Sequence, residues 1–186
     1  LEKVSDTPAV DAAALIATGK IVAIFTQGME YGPRALGARS ILAAPVDAAI
    51  NDELNTRLSR TEFMPFAPVV AEADAATVFD LPEPSRTAAR FMTITCAVRP
   101  EWRSRIPAVV HVDDTARPQL IRRADNALYF DILENYKAAT GIPVLINTSF
   151  NAHEEPIINT PAECAQALVD DRVDYVVTEG AVWRSA

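Results

Sequence analysis

The run Gly141-Ile142-Pro143-Val144-Leu145-Ile146, followed by Asn147-Thr148-Ser149-Phe150-Asn151, decides how the rest of the chain is read. Its first half is short, apolar and rich in β-branched residues, the pattern of a buried strand. Its second half then places several short polar side chains at the strand's C-terminal lip. In open α/β sheets that lip is where ligands bind. A plain polar turn after a strand would use the same residue types, since Asn and Ser are ordinary turn formers.

Working outward, Ala127 to Ala139 has the spacing of an amphipathic helix, stopped by Gly141. Thr160-Pro161 caps a helix running to Asp170, and Asp174–Thr178 with Ala181–Arg184 forms a hairpin-like pair around Glu179-Gly180. Near the other end, Thr7-Pro8 opens a helix to Thr18 that Gly19 stops, and Lys20–Phe25 follows as a buried strand. Gln27 to Gly37 is a glycine-bearing loop, Arg39–Ala43 a short strand and Asp47–Arg57 a helix. Phe63–Pro68 is extended because its prolines forbid a helix, and Val69–Ala71 continues it. Glu72–Phe79 reads as a short helix and Leu81–Arg90 as a mobile loop. Phe91–Val98 and Val109–Val112 read as strands, and Arg117–Ile121 as extended. Helices and strands interleave irregularly, which predicts an α/β fold with a mixed sheet.

The 186 residues, 49% of them hydrophobic, are enough for one domain with its own core. No apolar run approaches the ~20 residues of a membrane span. Cys96 and Cys164 lack metal-ligand or redox spacing, so both are expected to be core thiols in a reducing cytoplasm. A net charge of −8 argues against general affinity for nucleic acid. Yet arginine supplies 14 of the 17 basic residues, only Lys3, Lys20 and Lys137 being lysines. Guanidinium grips phosphate or carboxylate with a planar fork, so arginines gathered into short motifs point to a local anion site.

Three stretches besides the first carry candidate chemistry. In Glu30-Tyr31-Gly32-Pro33-Arg34-Ala35-Leu36-Gly37 the glycines flanking Arg34 let backbone approach a ligand, although the spacing fits neither a Walker loop nor a dinucleotide fingerprint. In Asn55–Pro68, Arg57 and Arg60 lie three apart and share a face of a helix ending near Ser59, with Glu62 placed to orient one guanidinium. In His111–Gln119, Asp113 and Asp114 could support a hard cation such as Mg²⁺ or simply form a turn. The chain's two histidines, His111 and His153, cannot build a histidine metal cage, and no Ser-His-Asp or Cys-His spacing is present.

Taken in order, Glu30–Gly37, Pro65-Phe66-Ala67-Pro68, His111-Val112-Asp113 with Thr115–Gln119, and Asn147–Asn151 with Glu155-Pro156-Ile157 resemble the C-terminal domain of the O-carbamoyltransferases, a family that includes the nodulation-factor and antibiotic carbamoyltransferases. The resemblance runs from about Gly19 to the C-terminus. It implies a YrdC-like twisted mixed sheet with flanking helices and a concave cationic cavity. It also implies that residues 1–186 are one domain of a longer chain whose actin-like ATPase-fold N-terminal domain lies elsewhere, in keeping with the start at Leu1. Its substrates would be carbamoyl phosphate and ATP with Mg²⁺, its product a carbamoyl adenylate, and the partner domain would pass the carbamoyl group to a hydroxyl. Arg34, Arg117 and Ser149 are the implied catalytic residues, with Arg57, Arg60, His111, Asn147, Thr148 and Asn151 as further ligand contacts. Leu58 and Met64 stand where many members have Lys and Arg, and Arg57 and Arg60 are expected to supply that charge. The competing expectations are a threonylcarbamoyl-adenylate synthase of the same fold and a non-catalytic nucleotide-binding module.

Overall fold

Strand formation follows burial: Val144 to Asn147 are all buried, and this run becomes the centre of the fold. The computed structural model describes residues 1–26, 28–60 and 65–186. From the N-terminus its elements are β1 (Glu2–Ser5), α1 (Pro8–Ala17), β2 (Val22–Ile24), β3 (Ser40–Ala43), α2 (Ile50–Arg57), β4 (Ala67–Ala71), α3 (Ala75–Val78) and β5 (Phe79–Asp80). There follow α4 (Arg86–Ala89), β6 (Cys96–Val98), α5 (Pro100–Arg103), β7 (Thr115–Ala116) and β8 (Gln119–Ile121). The chain closes with α6 (Ala127–Thr140), β9 (Val144–Ser149), α7 (Pro161–Val169), β10 (Tyr175–Val177) and β11 (Val182–Arg184).

The main sheet has the order β1-β11-β10-β2-β3-β9-β4-β8, and a small antiparallel sheet has the order β5-β6-β7. In the main sheet β10 runs parallel to β2 and β4 to β8, and the remaining pairs are antiparallel. The mixed sheet expected from the sequence is therefore present. Helices α1 and α6 pack on each other, α6 also against β4 and β9, and α7 against β10. Helix α6 is bounded as its sequence predicts. The Asn126 side chain accepts from Tyr129 N–H at 3.0 Å, and Gly141 takes φ 72° at the other end.

Pairing places the polar end of β9. Ser149 lies opposite Ser40 on β3, and Asn147 lies opposite both Leu42 on β3 and Ala67 on β4. Because β9 is antiparallel to both neighbours, its C-terminal end meets the N-terminal ends of β3 and β4. Strand β8, parallel to β4, begins at the same edge. The segments leading into those three strands hold Arg34, Pro65-Phe66 and Arg117. One edge of the sheet thus gathers blocks far apart in sequence.

Several expected elements differ. Residues 81–90 are not a plain loop: Glu83–Ser85 forms a 3-10 turn and α4 follows, with Pro84 in the first turn where its missing N–H is harmless. Only Cys96–Val98 of the strand expected at 91–98 pairs. Residues 109–112 form no strand. Pro107–Val109 is a 3-10 turn, and His111 N–H then donates to Thr115 C=O at 2.7 Å, closing a turn that leaves Val112 fully exposed. The helix expected at 72–79 shortens to α3, and β1 had no strong sequence pattern. Cys96 and Cys164 are free and buried, and burial pushes their thiols up to about 11 and about 12. None of the helices among the described residues is long and apolar enough to cross a membrane.

Helix α7 carries a complete capping box. Thr160 Oγ1 accepts from Glu163 N–H at 3.2 Å, and the Glu163 carboxylate accepts from Thr160 N–H at 2.7 Å. Thr160→Ala removes one arm and leaves the Glu163 arm. It is expected to cost about 1 kcal/mol, or about 2–4 °C in Tm for a chain of this size, measurable by calorimetric melting.

Candidate functional site

The segment entering β3 is folded by its own carboxylate. Glu30 Oε1 accepts from the N–H groups of Leu36 (2.7 Å) and Ala38 (2.6 Å), which curls residues 30–38 into a compact turn. Two buried amides hold its middle. Asn147 Nδ2 donates to Ala35 C=O at 3.0 Å, and Gln119 Nε2 donates to Leu36 C=O at 2.9 Å. Arg34 is left exposed on this turn, with no carboxylate partner among the described residues. Arg39, by contrast, is only 4% exposed, stacks 3.8 Å over Phe25 and donates to the carbonyls of Thr26 and Ala38, a structural use.

Arg57 and Arg60 do not share a face. Helix α2 ends at Arg57, and Ser59 takes φ 54°. Arg60 N–H then donates to Asn55 C=O (2.8 Å) and Ser59 N–H to Thr56 C=O (3.1 Å), the bond pair of a Schellman cap. The left-handed residue turns Arg60 off the helix. Arg57 stays behind, bound to Glu53 (2.7 Å) and Asp174 (3.0 Å) outside the cavity wall. Arg60 swings to the end of β9, donating to Thr148 Oγ1 (2.7 Å) and to the carbonyls of Ser149 (3.1 Å) and Asn151 (3.3 Å), with Phe66 5.8 Å away. Burial lowers its pKa, and none of its partners among the described residues is a carboxylate. Leu58 is completely buried in the core, so that position faces away from any ligand here. The roles expected of Glu62 and Met64 lie outside the described residues.

Arg117 is half-buried just before β8 and makes no ion pair among the described residues. Burial lowers its pKa, and the nearby positive charge of Arg34 lowers it further. Two cations thus lie close enough to repel each other, and neither has an anionic partner among the described residues. His111 sits apart from the cavity wall, with Nδ1 2.9 Å from Thr115 Oγ1, and Asp113 closes the same turn through Thr115. Burial lowers the His111 pKa against the pull of Asp113. Among the described residues no cluster of three potential metal ligands occurs.

Arg34, Arg60 and Arg117 converge with Asn147, Thr148 and Ser149 on one cavity of about 240 Å³, whose wall includes no acidic residue among the described residues. A second, more open hollow of about 710 Å³ shares Arg34, Met92 and Arg117 with it and is bordered by Thr93, Ile94 and Thr95. Asn151 supports the wall from behind, its Oδ1 accepting from Ser149 Oγ at 2.5 Å. Sequence reasoning missed His153, Met92 and Asn55, which also line the cavity. His153 follows the Asn147–Asn151 block by two residues, and its N–H donates to Leu58 C=O at 2.9 Å. That spacing was the available signal.

Residues 13–184 match the carbamoyltransferase C-terminus family. The chain belongs to this family. Among its relatives are the nodulation protein NolNO of Sinorhizobium fredii, 40% identical over 92% of this chain, and the nodulation protein NolO of Bradyrhizobium diazoefficiens, 37% identical over 93%. The matches cover 25% and 32% of those proteins, so the chain spans about a quarter to a third of their length. Among solved structures, HypF of T. kodakarensis aligns with a TM-score of 0.65 at 20% identity, covering 95% of this chain and 21% of that one. Sua5 of P. abyssi, solved with L-threonine, aligns with a TM-score of 0.65 at 14% identity, covering 97% and 48%. The carbamoyltransferase C-terminal domain therefore has the YrdC-like α/β fold that the sequence resemblance implied.

Proposed function

We propose that the arginine-lined cavity binds carbamoyl phosphate and the phosphates of ATP, and that it forms a carbamoyl adenylate. The observation that carries this reading is the convergence of three guanidiniums, none with a carboxylate partner among the described residues, on one wall. Buried or crowded cations without anions are costly, and a polyanion relieves the cost. The inner cavity suits a group of carbamoyl phosphate's size, and the outer hollow has room for a nucleoside.

Carbamoyl phosphate would first lose phosphate to water, leaving carbamate. A carbamate oxygen would then attack the α-phosphorus of ATP, forming carbamoyl adenylate and releasing pyrophosphate. Such a step needs charge neutralisation and alignment rather than a protein nucleophile. Arg34 and Arg117 would grip the phosphates. Arg60, already fixed by Thr148 and Ser149, would supply preorganised positive charge. Mg²⁺ would arrive with ATP, held mainly by phosphates and water. The remainder of the longer protein, an actin-like ATPase-fold domain, would carry the carbamoyl group to a hydroxyl acceptor.

Titration calorimetry with Mg·ATP, then with carbamoyl phosphate, combined with pyrophosphate exchange into ATP, tests the reading. The expected result is binding of both ligands and exchange that depends on carbamoyl phosphate. Binding of ATP without exchange would make the domain a nucleotide-binding module, and exchange supported by threonine with bicarbonate would reassign the substrate.

A further inference from the structure

The hydrogen-bonding directions around Asn147 are fixed by its neighbours. Its Nδ2 lies 3.0 Å from Ala35 C=O, which can only accept, so the amide nitrogen must face that way. The same nitrogen donates to Gln119 Oε1 at 2.6 Å. Gln119 is oriented by equal logic: its Nε2 faces the Leu36 carbonyl at 2.9 Å, and its Oε1 also accepts from Tyr129 OH at 3.3 Å. Asn147 Oδ1 is then the leftover atom, buried and without a hydrogen-bond partner among the described residues, on a residue that is 2% exposed and forms part of the cavity wall. An unmet buried acceptor is costly unless something donates to it. The arginines on the same wall have only donors to offer a ligand.

We propose that Gln119 is a positioning residue that fixes the amide of Asn147 so that Oδ1 accepts a hydrogen bond from the amino group of the carbamoyl substrate. This rests on the carbamoyl reading above and adds the group that tells carbamoyl from acyl. Acetyl phosphate has a methyl where carbamoyl phosphate has –NH₂, so it leaves Oδ1 unmet. Without Gln119 Oε1, the amide of Asn147 keeps only the Ala35 carbonyl and loses the shorter of the two hydrogen bonds that together hold its direction.

The test compares the Kd of carbamoyl phosphate with that of acetyl phosphate by calorimetry, and the KM of ATP in exchange. The unaltered chain is expected to prefer carbamoyl phosphate by at least about tenfold. Gln119→Met should lose most of that preference while the KM of ATP changes less than about twofold. Gln119→Glu, which still accepts from Asn147 Nδ2, should keep the preference even if anion binding weakens uniformly. A preference unchanged in Gln119→Met, or Kd and KM values that shift together, would overturn the proposal while leaving the proposed function standing. An unaltered chain that binds neither phosphate overturns both. If Gln119→Met does not fold, the ¹³Cγ resonance of Asn147 in the unaltered chain decides. It should move with carbamoyl phosphate and not with acetyl phosphate, and a resonance indifferent to both refutes the role.

Discussion

Arg34→Ala and Arg117→Ala are each expected to slow carbamoyl-phosphate-dependent pyrophosphate exchange by orders of magnitude while leaving the fold as stable as before, or more so. Neither side chain makes an ion pair among the described residues, so truncation breaks no such native contact. Each variant also removes a like charge from the other, and Arg117→Ala relieves the burial that depresses its pKa. The loss falls on the ligand side alone. An aimed donor facing developing charge is typically worth about 2.7–4 kcal/mol, so each substitution should slow exchange roughly 100- to 1,000-fold. Lysine at either position should recover only part of this, because a point charge does not reproduce the guanidinium fork. Melting temperature and exchange rate, measured on the same preparations, separate the two effects. Unchanged exchange in both variants would contradict the assignment of this cavity.

Arg60 makes a useful contrast within the same wall. It donates to Thr148, Ser149 and Asn151 and so ties α2 to the end of β9 in the absence of any ligand. Such a residue serves stability and charge together, and its removal would confound them. Arg34 and Arg117 are the cleaner probes.

What the sequence made legible was local. Strand β9 shows itself by a β-branched run, α6 by helical spacing stopped at Gly141, and α7 by the Thr-Pro start of its capping box. Arg34 stood out because it sits in a glycine- and proline-bearing loop, and Arg117 because its motif resembles the family's. The separation of Arg57 from Arg60 was not legible, since it turns on one left-handed residue, Ser59, of a type that carries no strong preference for that conformation. Nor was the fate of residues 91–95 and 109–112, where β-branched residues found no strand to pair with. The gathering of three strand starts around the end of β9 comes from antiparallel register across distant segments, which local periodicity does not encode. His153 was read only as one of two histidines, because nothing local tied it to Leu58.

Gly37→Ala is expected to be among the most destabilising single-methyl changes in the chain. Gly37 has φ 125°, and a Cβ placed there would lie 2.2 Å from Cδ1 and 2.8 Å from Cε1 of Tyr129. Tyr129 cannot retreat easily, being fully buried on α6 with its hydroxyl at Gln119. Backbone strain of about 1–3 kcal/mol and overpacking of about 1–3 kcal/mol should act together. The sum of about 2–6 kcal/mol is a large share of the roughly 5–15 kcal/mol that holds a domain folded. Gly28→Ala is the matched control, with φ 67° and nothing among the described residues within 4 Å of the added Cβ, so it should cost only the left-handed penalty of about 1–2 kcal/mol. Urea denaturation of both variants measures the difference. Equal losses would mean that Tyr129 shifts freely, and the Gln119–Asn147 pair it touches would then not be rigid enough to hold an amide in one direction.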